Sequence, residues 1–141
     1  MSSKRFNIRV YGVCINEHNE VLLSREQFRD LSFIKFPGGG LEWGEGTKDC
    51  LKREFQEEFG LEITVGELFY LTDFFQLSAF SDEDQVISIY YRITLHHDLS
   101  TISGNGDKEE ELGWYSLSNF SSDSLTFPID KQVAGMILKS Y

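Results

Sequence analysis

Three glutamates in the five-residue window Glu54–Glu58, namely Glu54, Glu57 and Glu58, are the residues of this chain best placed to do chemistry. A helix turns 100° per residue, so positions i, i+3 and i+4 share one face. Like charges at that spacing repel by a few tenths of a kcal/mol per pair (roughly) in an isolated helix. A hard divalent cation prefers oxygen ligands and relieves that repulsion, so the spacing marks Glu54, Glu57 and Glu58 as a candidate metal triad.

The element that must carry them is a helix fed by a glycine loop, over Gly39–Leu61 (GGLEWGEGTKDCLKREFQEEFGL). Thr47 is a reasonable N-cap, with Asp49 near the positive end of the helix dipole. Leu51, Phe55 and Phe59 recur every four residues and predict the buried stripe. The acids lie beside that stripe, which places them at the edge of the core, partly desolvated. Gly60 is a helix-ending residue. Ahead of the helix, Ser32–Phe36 reads as a short strand entering Pro37-Gly38-Gly39-Gly40, where missing side chains let the backbone turn and its carbonyls approach a ligand. Glu42 and Trp43 follow without an assigned role; Trp43 is expected either to pack on the loop or to line the substrate mouth.

This stretch resembles the Nudix box: G, five residues, E, seven residues, then R-E-apolar-x-E-E-x-G-apolar. Gly39, Glu45, Arg53, Glu54, Phe55, Glu57, Glu58, Gly60 and Leu61 fill all nine specified positions without a gap. The resemblance implies an α/β fold of the Nudix type, an α/β/α sandwich with a mixed β-sheet between helices. It implies metal-dependent hydrolysis of a nucleoside diphosphate linked to another moiety, with Mg²⁺ or Mn²⁺ as cofactor. Under it, Glu54, Glu57 and Glu58 ligate metal together with the Gly38 carbonyl, and Glu54 is also a candidate general base. Arg53 orients a glutamate, and Glu45 steadies the loop and helix. Gly38 and Gly39 approach the substrate, and Arg25, just after the second strand, meets its phosphate; an exposed arginine is the alternative. Relatives often add an acid from a later loop. In the run Glu109-Glu110-Glu111 the favoured candidates are Glu109 and Glu110, while Glu111 has the family spacing to Trp114; a solvated acidic run is the alternative.

The box does not encode the substrate. Position 76 is Gln, where some ADP-ribose hydrolases carry proline, and the tyrosine of several dinucleoside-polyphosphate hydrolases is missing nearby. The FPGGG-L-E-W-G-E loop is similar to that of small MutT-like members that sanitise oxidised deoxynucleotides. Two rivals share the fold: a non-catalytic ligand-sensing module, which commonly loses box acids that are kept here, and an isoprenoid diphosphate isomerase. The isomerase is longer and uses a cysteine that neither Cys14 nor Cys50 obviously matches.

The remaining pattern supplies strands. Phe6–Ile15 alternates in part, Asn16–Asn19 is turn chemistry, and Val21-Leu22-Leu23 opens a second strand, which together predict a hairpin. Glu26–Leu31 reads as a loop or a single helical turn, and Glu62–Phe75 as a strand crossing the sheet. Gln85–Leu95 alternates, with Ile87, Ile89, Tyr91, Ile93 and Leu95 on the face expected to be buried. His18, His96 and His97 read as surface residues. Leu112–Tyr115 predicts a strand, and Pro128 opens a last helix with Val133, Met136, Ile137 and Tyr141 on its apolar side. The expected order is ββ(β)-helix-βββ-helix.

The totals bound the class. A chain of 141 residues suits a single Nudix domain over 1–141, and 40% apolar residues, twelve of the chain's residues being Phe, can fill its core. A net charge of −10 argues against a nucleic-acid polymer as ligand. No apolar run approaches a membrane span, and MSSKRFNIRV has no secretory h-region. Two cysteines without metal-pair spacing fit reduced thiols in a cytoplasmic protein. Homodimers are common in the family; no feature of this sequence establishes one.

Overall fold

The computed structural model describes residues 3–99 and 110–141. The strands are β1 (Arg5–Val13), β2 (Glu20–Phe28), β3 (Leu31–Lys35) and β4 (Gly38–Gly40) before helix α1 (Thr47–Phe59). They continue as β5 (Ile63–Leu71), β6 (Asp84–Leu95) and β7 (Glu110–Ser116), and helix α2 (Pro128–Ser140) closes the series. They form two sheets. One is mixed, in the order β4-β1-β6-β5, with β1 and β6 parallel; the other is antiparallel, in the order β3-β2-β7. With α1 and α2 on opposite sides, the architecture is the α/β/α sandwich.

Alternation along β1 and β2 feeds two cores at once. Tyr11, Val13, Val21 and Leu23 join Val133, Ala134 and Ile137 of α2. Val10, Cys14 and Leu22 join Leu51, Phe55 and Phe59 of α1, which is the stripe expected from the sequence. Phe55 is fully buried, and truncating such a ring to alanine costs about 3–5 kcal/mol.

Several expectations are corrected. The β1–β2 hairpin is confined to its turn, where the Ile15–Val21 bridge is flanked by the Asn16–Glu20 and Leu22–Cys14 backbone bonds; beyond it β1 takes β4 and β6 as partners and the two strands enter different sheets. The full hairpin lies one step later, where Glu26–Leu31 continues β2 and turns at Arg29 and Asp30 into β3, pairing Phe28 with Leu31. Both turn residues are left-handed, with φ of 51° and 67°, the geometry of a two-residue hairpin turn, but without the usual glycine that would have announced it. Gly38–Gly40 forms a short strand against β1 rather than a simple turn. The N-cap of α1 is Gly46, not Thr47; the Thr47 hydroxyl bonds the Tyr91 hydroxyl at 2.6 Å. On β6 the face expected to be buried is buried only at Ile93, with Ile87, Ile89, Tyr91 and Leu95 partly exposed, while the opposite face is buried at Ser88 and Tyr90. In α2 the buried residues are Ile129, Asp130, Val133, Ala134 and Ile137, while Tyr141 is exposed. No helix among the described residues is long and apolar enough to cross a membrane.

Candidate active site

Helical periodicity sets the site's first wall. With Leu51, Phe55 and Phe59 driven into the core, Glu54 and Glu58 turn toward β4 and line a cavity of about 270 Å³. Its other walls are Gly38, Gly39 and Gly40, Arg9 of β1, Glu26 and Gln27 of β2, Lys35 of β3 and Glu110 of β7. The glycines are required by contact. A Cβ on Gly39 would lie 2.3 Å from the Glu54 carboxyl carbon, and one on Gly38 would lie 2.0 Å from the Val10 carbonyl oxygen. Gly38 also has a φ of 155°, which L side chains rarely adopt.

Arg53 organises the acids around it. Its Nε and Nη2 donate to the two Glu45 oxygens at 2.9 and 2.8 Å, and Nη2 also donates to the Gly40 carbonyl at 3.1 Å. Nη1 donates to Glu54 at 3.0 Å and to Glu57 at 2.9 Å. A planar five-donor fork suits such a crowd of acceptors; an ammonium does not. Hydrogen bonds from Arg53 hold the Glu45 carboxyl down at about 2. Cys50 beneath is buried, and burial together with Glu45 pushes its thiol up to about 12.

The second sheet supplies a counter-wall. Glu110 is partly buried with its Oε2 3.0 Å from Lys35 Nζ, and it accepts from Ser24 Oγ at 2.6 Å. Glu26 stands 3.5 Å from the same ammonium. Burial raises the Glu110 carboxyl, but Lys35 and Ser24 outweigh it, so the net shift is downward. Glu58, facing Glu110, is pushed up to about 7 by burial and by that neighbour. Lys35 lies on the Glu110 side, so Glu110 keeps its charge and Glu58 is the acid that takes a proton. Burial also raises Glu54.

The expected site residues therefore part company. Glu54, Glu58, Gly38, Gly39 and Glu110 meet in one cavity. Glu57 does not line it; it is held by Arg53, with its side chain more than half exposed. Arg53 and Glu45 form the bracket behind. Arg25 lines neither this cavity nor the larger one beside it; it pairs across the strands with Glu111, 3.5 Å away on the exposed face. Period-two alternation is the reason, since Ser24 and Glu26 take the inner face. Glu109 lies outside the described residues. Sequence reasoning missed Arg9 and Glu26, which sit on strands far from the box, and Lys35, which ends the strand just before it; only an unusual lysine at the end of an apolar strand hinted at one of them.

Among the described residues no three acidic, histidine or cysteine side chains converge closely enough to enclose an ion. The donor set still fits a hard divalent cation: carboxylate oxygens of Glu54, Glu58 and Glu110 beside a glycine backbone, with one carboxyl forced toward protonation by its neighbours. A second cavity of about 790 Å³ adjoins the first and shares Arg9, Glu26 and Lys35 with it. The rings of Phe33, Phe80 and Phe127 form one side, and Asn7, Ser88 and Asp130 are polar groups along the rest.

The NUDIX domain pattern matches residues 5–135. Two similar proteins are the 8-oxo-dGTP diphosphatases of Proteus vulgaris and Escherichia coli K12. The first is 36% identical over 66 residues, which is 45% of this chain and 58% of that protein. The second is 37% identical over 60 residues, 41% of this chain and 46% of that protein. The matched stretch thus spans about half the length of these relatives. In three dimensions the fold is similar to that of the MutT protein from Methanosarcina mazei Go1, with a TM-score of 0.73 and 23% identity over 98% of this chain and 96% of that one.

Proposed function

Because the chain belongs to the Nudix family, we propose that it hydrolyses the diphosphate linkage of a nucleoside diphosphate joined to another moiety, with Mg²⁺ or Mn²⁺. One observation carries the reading: Glu54, Glu58 and Glu110 converge on a glycine strand in a small polar cavity that opens into a larger, ring-lined one. The polar cavity suits phosphates, and the ring-lined cavity suits a nucleobase, whose flat face stacks on aromatic side chains. A divalent cation held by Glu54 and Glu58 with the Gly38 carbonyl, and by Glu57 once it leaves Arg53, would activate water and neutralise charge on phosphate oxygens.

The chain's own groups do the positioning. Arg53 fixes Glu54 and Glu57 in place, and Glu45 fixes Arg53 in turn. Glu54, set against the bare Gly39 backbone, is the candidate to accept a proton from the attacking water. Glu110 closes the acidic wall from β7. The MutT-like relatives make an oxidised purine deoxynucleoside triphosphate the first substrate to try, and a cytoplasmic nucleotide pool the expected setting.

The test is phosphate release from 8-oxo-dGTP, ADP-ribose, nucleotide sugars, diadenosine polyphosphates and NADH, each with Mg²⁺, with Mn²⁺ and with EDTA. Metal-dependent turnover of one substrate, lost in Glu54→Gln and Glu57→Gln, is expected. Turnover that persists in EDTA, or in both variants, would refute the assignment.

A further inference from the structure

Arg9 and Lys35 occupy the wall common to the two cavities, and they are the only cations lining the polar one among the described residues. Lys35 is 8% exposed, yet its ammonium faces both spaces. Carboxylates at 3.0 and 3.5 Å account for two directions of that tetrahedral group, leaving a third for a ligand. Arg9 donates from Nε to the Tyr11 hydroxyl at 2.6 Å, and among the described residues its two terminal nitrogens take no hydrogen-bond acceptor. Lys35 is buried and Arg9 half-buried at one junction; Glu110 and Glu26 already balance the Lys35 charge, so it is the unused donors of the pair, at the wall common to both cavities, that point to a ligand.

Building on the proposed activity, we infer that Arg9 and Lys35 form the seat for the phosphate next to the nucleoside. The two side chains come from different sheets and approach that phosphate from two directions. The seat sits between the ring-lined cavity and the acid cluster, so it selects ligands carrying a 5′-phosphate on a ring-bearing sugar. It binds independently of the metal that serves the scissile linkage. Arg9 and Lys35 thereby set which phosphate stays with the nucleoside.

The test compares nucleosides with their 5′-monophosphates by calorimetry, using the four common ribonucleosides, the four deoxynucleosides and 8-oxo-deoxyguanosine. Titrations are run on the full chain, with Mg²⁺ and with EDTA. Wild type is expected to prefer the monophosphate by about tenfold or more in both conditions, the scale of one or two charge-assisted hydrogen bonds. Lys35→Met and Arg9→Met should each shrink that preference severalfold while nucleoside affinity holds, and Lys35→Arg should keep it. A purely structural role for Lys35 would weaken nucleoside and monophosphate alike. Should Lys35→Met fail to fold, Arg9→Met carries the test alone. Absence of a monophosphate preference in wild type, or its survival in a folded variant, overturns the seat. A preference without hydrolysis of any substrate would instead overturn the proposed activity and leave the seat standing.

Discussion

The Tyr90 hydroxyl donates to Asp130 Oδ1 at 2.5 Å, tying the first turn of α2 to the central strand β6 beneath the larger cavity. Both residues are buried, and burial pushes the Asp130 carboxyl from 3.8 up to about 6, against the opposing pull of Tyr90, Lys35, the Phe36 backbone N–H and Arg9.

A pH dependence follows from that pair. The folded state holds the Asp130 proton more tightly than the unfolded chain does, so the contribution is fully present below about pH 4 and lost as pH rises toward 6. The gap corresponds to about 3 kcal/mol. Urea denaturation from pH 4 to 7 should show that decline, and Asp130→Asn should flatten it; an unchanged slope in the variant would assign the decline to other groups.

Gly39→Ala should cripple the site without unfolding the protein. The added methyl meets the Glu54 carboxyl at 2.3 Å, and a shift of about 1 Å in a positioned group can cost about a hundredfold in rate. Steady-state kinetics beside circular dichroism checks this; near-native turnover would mean that Glu54 relocates without consequence.

Glu110→Ala should destabilise the fold by about 3 kcal/mol, because it strips Lys35 of its nearer carboxylate and Ser24 of its acceptor. Chemical denaturation reads the effect. A loss below 1 kcal/mol (roughly) would show that Glu26, already 3.5 Å from the ammonium, takes over the pairing.

Arg53→Lys keeps the charge and loses the fork. One ammonium cannot serve Glu45, Glu54, Glu57 and the Gly40 carbonyl together, so turnover should fall by at least about tenfold and stability by about 1–2 kcal/mol. Full activity in the variant would show that charge alone is enough.

Asp30→Gly should stabilise. Asp30 has a φ of 67° in a two-residue turn, and glycine removes a left-handed penalty of about 1 kcal/mol. A melting temperature raised by a few degrees (roughly) is expected; a fall would mean that the Asp30 side chain has an anchoring role.

Helix α1 was legible from sequence because everything it needs is local: the Leu51–Phe55–Phe59 stripe, the acids beside it and Gly60 at its end. The Gly60 φ of 66° and its backbone bonds to Gln56 and Phe55 bear this out. The counter-wall was not legible. Lys35, Glu26 and Arg9 reach the cavity through strand pairings that join distant residues, and only those pairings decide which side of a strand faces inward. Arg25 illustrates the difficulty, since a shift of one residue exchanges it for Glu26. Ser88 and Tyr90 illustrate another, because a strand covered on both faces need not advertise burial through apolar residues on each. The turn at Arg29 and Asp30 concealed the full hairpin by using neither asparagine nor glycine.

The polar cavity draws Arg9 from the mixed sheet, Lys35, Glu26 and Glu110 from the antiparallel one, and Glu54 and Glu58 from α1. No single layer contains a working fraction of it. Slippage of one sheet against the other would part Arg9 from Lys35 while leaving each layer, including the Lys35–Glu110 pair, internally intact. The proposed turnover should therefore gauge how the layers are docked, and heat or denaturant should extinguish it in step with the loss of tertiary packing, ahead of any loss of helix or strand.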